Sequence, residues 1–455
     1  MLSPRDRLLA LLFGIQLLAA GVFGAVLVNK LGDAPTTTVV TQDGAGPGAV
    51  PTAVPSGGVT PAPGSTPTSR TVTSVTGGSA GSTTGGGGGT GSKPVPPGAP
   101  IKIGVLVTQT GAINFAPSAQ GTKAYVDRIN ARGGVNGHKI ELTIMDDQLD
   151  QARGQQAAQR MLADGVLAFA AWNAPNTENQ IVPFLERNKI PLIGSFGEYP
   201  EYHSKYAYAF TASYGHYGYE MARYLKQMGA TKPALVYIDN GEQHANDGLE
   251  AAAAAGWKSA GGTGTFEVHR EEPTQGVYDD AVTSMQVNGV DGLVTILDQT
   301  AYNRLQQASD RHGFRPKHVA DPLFADPAVK KTSTNEGTIV ATDVEFLESE
   351  TPETKDYVDT VRAKYGADAP VNWVGQVGWL DAKILVAALE KLGNDITREG
   401  LITAIDTMKP TGFGLTSPMQ FGPGVRDLNR CLKMGKVTGG KVVPTTGWLC
   451  DGQPF

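Results

Sequence analysis

The stretch Ile101-Lys102-Ile103-Gly104-Val105-Leu106-Val107 decides the fold. Apolar and β-branched residues fill it, with one charge, as in a strand buried on both faces. Helical spacing follows from Ala119 to Ala131, with Tyr125, Val126 and Ile129 on one face. Gly133-Gly134 stops that helix, and Ile140 to Met145 reads as the next strand. A helix between two mostly buried strands is a βαβ unit, which requires a parallel sheet.

The same alternation continues outward. A helix from Asp150 to Asp164 leads into Val166 to Ala170, and another from Thr177 to Arg187 leads into Ile190 to Gly194. Ala234 to Ile238 and Val290 to Leu297 are strand-like, separated by the Ala-rich helix Asp247 to Ala255. A further strand is expected at Gly337 to Thr342, with long helices at Thr354 to Tyr365 and Val377 to Leu392. So many units exceed one comfortable sheet, so the expected fold class is α/β with two lobes.

Before this region lie two segments of different composition. Leu8 to Val28 is apolar apart from Gln16, long enough as a helix to cross a bilayer. Arg5 and Arg7 precede it, which places the N-terminus in the cytoplasm. The segment reads as a retained anchor, with a cleaved secretory signal as the alternative. Either one exports the rest. From Ala34 to Pro100 there is no aromatic residue, and Gly, Pro, Ser and Thr dominate, so this stretch is expected to be a disordered tether.

Across 455 residues the net charge is -6, against the concentrated basic surface of a nucleic-acid protein. Literal matches to catalytic patterns fail on context. Gly77 to Gly81 and the Gly86, Gly88, Gly91 spacing sit in the tether, with no strand before them or helix after them. Gly435 to Lys441 nearly matches a phosphate loop, but Val442 stands where magnesium needs a hydroxyl. A hairpin turning at Thr438-Gly439-Gly440 explains it better. Asp146 and Asp147 are adjacent, so in a strand they point to opposite faces and cannot act as an acid–base pair. No metal site, no cofactor and no enzymatic role is expected.

Several short motifs share an order and spacing: Ile101 to Leu106, Thr110-Gly111, Gly133-Gly134-Val135-Asn136-Gly137 and Asp146-Asp147. They continue through Ile190-Pro191-Leu192-Ile193, Tyr208-Ala209-Phe210-Thr211, Val290-Asp291-Gly292, Tyr365-Gly366, Phe421-Gly422-Pro423 and Arg426-Asp427. This series resembles the type I solute-binding proteins of ABC importers, the class of the leucine/isoleucine/valine-binding proteins. The resemblance implies two Rossmann-like lobes with parallel sheets, joined by three hinge crossings near Ala212, Asp343 and Thr416. The implied organisation is 1–33 as tail and anchor or signal, and 34–100 as linker. Residues 101–212 with 343–415 form one lobe, and 213–342 with 416–455 the other. It also implies a small polar ligand, with amino acids leading, caught between the lobes, and a membrane permease as partner. A ligand-sensing ectodomain working through a signalling partner is the alternative.

Such a cleft lies at the C-terminal ends of the strands. Helix starts there suit a carboxylate, which makes the loops at Trp172-Asn173-Ala174-Pro175 and Ser195-Phe196-Gly197 candidates. Pro175 has no N–H, which departs from the hydroxyl-rich loop of the amino-acid binders. Ser195 either meets the ligand or caps the turn after it. An ammonium needs an acid, and the resemblance places a contact at Asp298, with Glu198 in reserve. Phe115, Trp172, Phe196 and Tyr214 are candidate apolar walls. His244 and Gln243 fall where relatives use a cleft side chain. Cys431 and Cys450 bracket the hairpin and, outside the cytoplasm, are expected to pair.

Overall fold

Strand and helix alternate as the apolar periodicity demands, and the strands assemble into two separate sheets. The computed structural model describes residues 92–452 apart from 112, 198, 240, 274 and 331–334. The Leu8 to Val28 segment, most of the tether and Glu198 therefore lie outside the described residues. Among the described residues, no helix is long and apolar enough to cross a membrane.

The first lobe runs β1 (Ile101–Val107), α1 (Ala116–Ala131), β2 (Ile140–Asp146), α2 (Gln151–Ala163), β3 (Ala168–Trp172), α3 (Pro175–Asn188), β4 (Leu192–Ser195) and β5 (Ala207–Tyr208). Its sheet is parallel in the order β2-β1-β3-β4-β5. The second lobe begins with α4 (Tyr214–Gln227), β6 (Pro233–Ile238), α5 (Gln243–Ser259), β7 (Glu267–Glu271), α6 (Asp279–Val287) and β8 (Gly292–Ile296). It continues through α7 (Gln299–His312), β9 (Lys317–Ala320), the short α8 (Pro327–Lys330) and β10 (Ile339–Thr342). The chain then returns to the first lobe for α9 (Pro352–Tyr365), α10 (Trp373–Leu392) and α11 (Arg398–Asp406). It ends in the second with β11 (Lys433–Thr438) and β12 (Lys441–Pro444). The parallel strands there are ordered β10-β9-β8-β6-β7, so both lobes repeat one winding pattern. The β11–β12 hairpin extends the sheet antiparallel, turning on Gly439 and Gly440, both at positive φ.

α10 lies in the first lobe's core, with Val377, Leu380, Ile384 and Leu385 all buried. Full burial of each such side chain is worth about 1.5–3 kcal/mol. It packs backbone to backbone on α1, because a Cβ on Gly121 would strike the Gly375 carbonyl. The Thr122 hydroxyl donates to the Gly378 carbonyl across that contact at 2.9 Å.

Three segments carry the chain between sheets: β5 to α4, β10 to α9, and α11 to β11. One side chain ties all three. The Asn429 amide donates to the carbonyls of Phe210 (3.1 Å) and Asp343 (3.0 Å). The Asp343 carboxylate accepts the Ala212 N–H at 2.8 Å. Burial raises the Asp343 pKa, and the Trp373 indole, the Ala212 N–H and the Tyr217 hydroxyl oppose that shift.

Residues ahead of β1 also belong to the fold. Ser92 bonds through its N–H and hydroxyl to Glu399, and the Val95 N–H donates to the Ile396 carbonyl at 3.0 Å. Val95 also packs on the first lobe's core, so the end of the expected tether, from Ser92 to Pro100, belongs to the fold.

Candidate functional site

In this winding, loops on either side of the switch in strand order diverge and leave a crevice at the strands' C-terminal ends. Both lobes direct that end towards one cavity of about 120 Å³. The first lobe contributes Ile113 and Phe115 after β1, Pro175 after β3, Phe196 after β4 and Trp373 at the start of α10. The second contributes Ile238, Ile296, Leu297, Asp298 and the run Asp321-Pro322-Leu323. Thr211, Ala212, Tyr214 and Tyr217 line it from the first crossing.

The walls are largely apolar and aromatic. Phe196 stacks on Trp373 with centroids 5.4 Å apart, and Phe115 meets Phe196 edge-on at 4.8 Å. The Trp373 ring is set by its indole N–H, which donates to Asp343 at 2.8 Å. The Phe196 loop is pinned by the Thr211 hydroxyl, which donates to the Phe196 carbonyl at 2.5 Å. No Lys, Arg or His lines the cavity among the described residues.

Two carboxyl groups break this apolar surface, both from the second lobe. Asp298 caps α7, its Oδ1 accepting the N–H groups of Thr300 (2.7 Å) and Ala301 (2.9 Å). Asp321 Oδ1 accepts the Tyr302 hydroxyl (2.9 Å) and the Leu323 N–H (3.2 Å). In each acid the second oxygen takes no part in these bonds. Burial raises the pKa of Asp298 and pushes that of Asp321 well above the usual range, with their hydrogen-bond donors opposing. From the first lobe, the starts of α1 (after Phe115) and α3 (at Pro175) meet the cavity with their positive dipole ends, although Asn114 Oδ1 takes the Ala116 N–H at 2.9 Å. α4 opens at Tyr214 on the second lobe's side.

Of the candidates read from sequence, Phe115, Phe196, Tyr214 and Asp298 line this cavity. Four others lie elsewhere. Trp172 is fully buried in the first lobe's core, edge-on to Phe169 at 5.1 Å, its indole donating to Thr177. It turns away because Ala171 takes a left-handed φ of 47°, which breaks the strand's alternation and puts Phe169 and Trp172 on one side. Asn173 is also buried, its side-chain Oδ1 accepting the Ser118 hydroxyl. Ser195 is buried as well and spends its hydroxyl on Glu201 at 2.7 Å, so it serves an internal bond rather than the cavity. His244 is exposed on the first turn of α5 and stacks on Tyr199 of the opposite lobe, centroids 4.8 Å apart. That pair bridges the lobes beside the cavity without lining it.

Asp321, Trp373 and Tyr217 are the residues that sequence reasoning missed. The available clue to Asp321 was its place after a short strand, Lys317–Ala320, whose polar start hid it. Asn372 was the clue to Trp373, since an Asn before an apolar run marks a helix start.

Two lobes of parallel strands on three crossings, with a largely apolar cavity between them, define a protein that captures a small molecule. Residues 100–441 match the periplasmic binding protein family, and the chain belongs to it. A Leu/Ile/Val-binding protein homolog of Brucella abortus is 39% identical over 66 residues, 14% of this chain and 18% of that relative's length. Among solved structures, a fatty acid ABC transporter substrate-binding protein from Thermomonospora curvata superposes with a TM-score of 0.67 at 22% identity. That match covers 79% of this chain and 95% of the other. A branched chain amino acid ABC transporter protein from Thermus thermophilus with bound valine gives 0.68 at 17% identity, covering 77% and 96%. A solute-binding protein from R. palustris in complex with 4-hydroxybenzoate gives 0.67 at 20%, covering 78% and 98%.

The predicted pairing of Cys431 with Cys450 is present as a disulfide.

Proposed function

We propose that this protein is the extracytoplasmic capture subunit of an ABC importer, taking an amino acid with an apolar or aromatic side chain. The observation that carries this reading is the polarity of the cavity. Two carboxyl groups face it from the second lobe, the starts of α1 and α3 face it from the first, and apolar rings lie between. A zwitterion with an apolar body satisfies all three, its ammonium on the acids and its carboxylate towards the helix dipoles. Ligand bridging both lobes would then stabilise the closed form that a permease recognises.

The disulfide supports export, since such bonds persist in oxidising compartments. The Leu8 to Val28 segment would hold the protein on the outer face of the membrane by a flexible tether. The role is capture, not turnover. A sensing ectodomain would use the same cavity, and affinity capture of a permease or of a kinase separates the two.

A second ligand class has specific support. The apolar walls would also suit an aromatic or aliphatic carboxylic acid, the kind of ligand named for the Thermomonospora curvata and R. palustris proteins. The raised pKa values of Asp298 and Asp321 would let them donate a proton to such a ligand. Calorimetry of the purified protein with L-phenylalanine, L-leucine, 4-hydroxybenzoate and octanoate tests both. Binding of the amino acids and release of protons on binding support the first reading. Tight binding of the acids alone replaces it with the second.

A further inference from the structure

The second lobe holds a column of polar groups, half-buried at its outer end and fully buried beyond, that the capture reading does not use. It starts at His318, which lines a separate cavity of about 340 Å³ together with Arg315, Lys317 and Glu336. His318 Nε2 lies 2.8 Å from the Thr295 hydroxyl, which donates to the Tyr302 hydroxyl at 3.0 Å. Tyr302 donates to Asp321 Oδ1 at 2.9 Å. Thr295 is fully buried and Tyr302 is 1% exposed. A hydroxyl has one proton to give, and Tyr302 has two acceptors in reach, Asp321 Oδ1 at 2.9 Å and the Thr295 carbonyl at 3.1 Å. Assigned to the shorter, charged partner, the proton order runs His318 to Thr295 to Tyr302 to Asp321, and the Asp321 N–H returns a bond to Tyr302 at 3.2 Å. Phe324 packs edge-on against both Tyr302 (5.0 Å) and His318 (5.4 Å), fencing the column laterally.

The consequence falls on Asp321. Its Oδ1 takes the Tyr302 hydroxyl and the Leu323 N–H, the Phe324 N–H also acts on the carboxyl group, and Oδ2 is the oxygen with room for a donor at the interlobe cavity. We infer that Tyr302 is a positioning residue of the ligand site, orienting Asp321 so that Oδ2 is the acceptor for a ligand's donor group. Thr295 and His318 hold Tyr302 in turn. This rests on the capture reading for its ligand, but the orientation itself does not. The titratable groups facing Asp321 are Tyr302, Asp298 and Tyr217, with His318 beyond Thr295.

Two measurements on the full chain test it. The first needs no ligand: the carboxyl carbon of Asp321 is titrated by NMR in protein labelled with ¹³C-aspartate, its resonance assigned with Asp321→Asn. A charge-assisted bond lost in Tyr302→Phe should raise the Asp321 midpoint by roughly one to two pH units. Thr295→Val should raise it by less. The second compares L-phenylalanine with 3-phenylpropionate, which has the same body without the amine. Tyr302→Phe should weaken L-phenylalanine roughly tenfold or more and leave 3-phenylpropionate within about twofold. An unmoved Asp321 midpoint in both variants overturns the inference. If wild-type protein takes neither probe, the amino-acid reading fails, and the titration alone decides the positioning role.

Discussion

Trp373 hangs from Asp343: the indole N–H of the one donates to the carboxylate of the other at 2.8 Å. A ring of the cavity wall is thereby bonded to the second crossing between the lobes. The same carboxylate also accepts the Ala212 N–H of the first crossing at 2.8 Å.

Removing that acceptor should be costly. Asp343→Ala leaves the buried Ala212 N–H and the half-buried Trp373 indole without this partner, each worth about 1–3 kcal/mol at full burial, so unfolding free energy should fall by about 2–4 kcal/mol. Asp343→Asn keeps an acceptor oxygen and should lose clearly less. Urea denaturation of the two variants makes the comparison, and equal losses would show that volume rather than hydrogen bonding matters there.

Gly194 is constrained twice. It sits at φ 90°, and a Cβ on it would overlap the carboxyl group of Asp381, a buried acid on α10. Gly194→Ala should cost about 3 kcal/mol or more through overpacking and backbone strain. Adding Asp381→Ala should recover part of that loss, since neighbouring changes couple. Full additivity in the double-mutant cycle would refute the contact.

His318 gives a pH dependence with a definite sign. Burial pushes its folded pKa down to about 3, against about 6.5 for an unfolded chain. The unfolded state therefore binds the proton more readily, and the stability tied to neutral His318 is lost as pH falls from about 6.5 towards 3. The slope approaches about 1.4 kcal/mol per pH unit. In His318→Gln the decline between about pH 6 and pH 4 should be shallower by that amount. Identical slopes would exclude a buried neutral imidazole.

Cys431 and Cys450 lie 19 residues apart and enclose the β11–β12 hairpin. In the chain-entropy account, a closed loop of that size is worth about 3 kcal/mol. Denaturation with and without a reductant should differ by that much, with the Cys431→Ser, Cys450→Ser variant matching the reduced protein.

Much of the fold was legible because burial on both faces leaves a continuous apolar run. β1 and β8 announce themselves in this way. β7, Glu267 to Glu271, and β9, Lys317 to Ala320, carry polar residues at pairing positions and gave no such run. The boundaries of α10 were also legible only in part. Its buried face begins at Val374, before the Val377 from which the helix was expected to run. At the site, Phe115, Phe196, Tyr214 and Asp298 were accessible to reasoning because each directly follows a strand or opens a helix. Ser195 was misjudged for a local reason: its loop position is right, but Glu201, six residues on, takes its hydroxyl.

Local periodicity and composition were enough to establish an α/β chain of repeated βαβ units, since strand and helix patterns depend on near neighbours. Which side chains meet across the gap was decided only by tertiary structure. A single left-handed residue, Ala171, sends Trp172 into the core, and packing brings Asp321 beside Asp298 although 23 positions separate them in the chain. Spacing along a strand predicts a face, but it carries no information about which distant loop will close over that face.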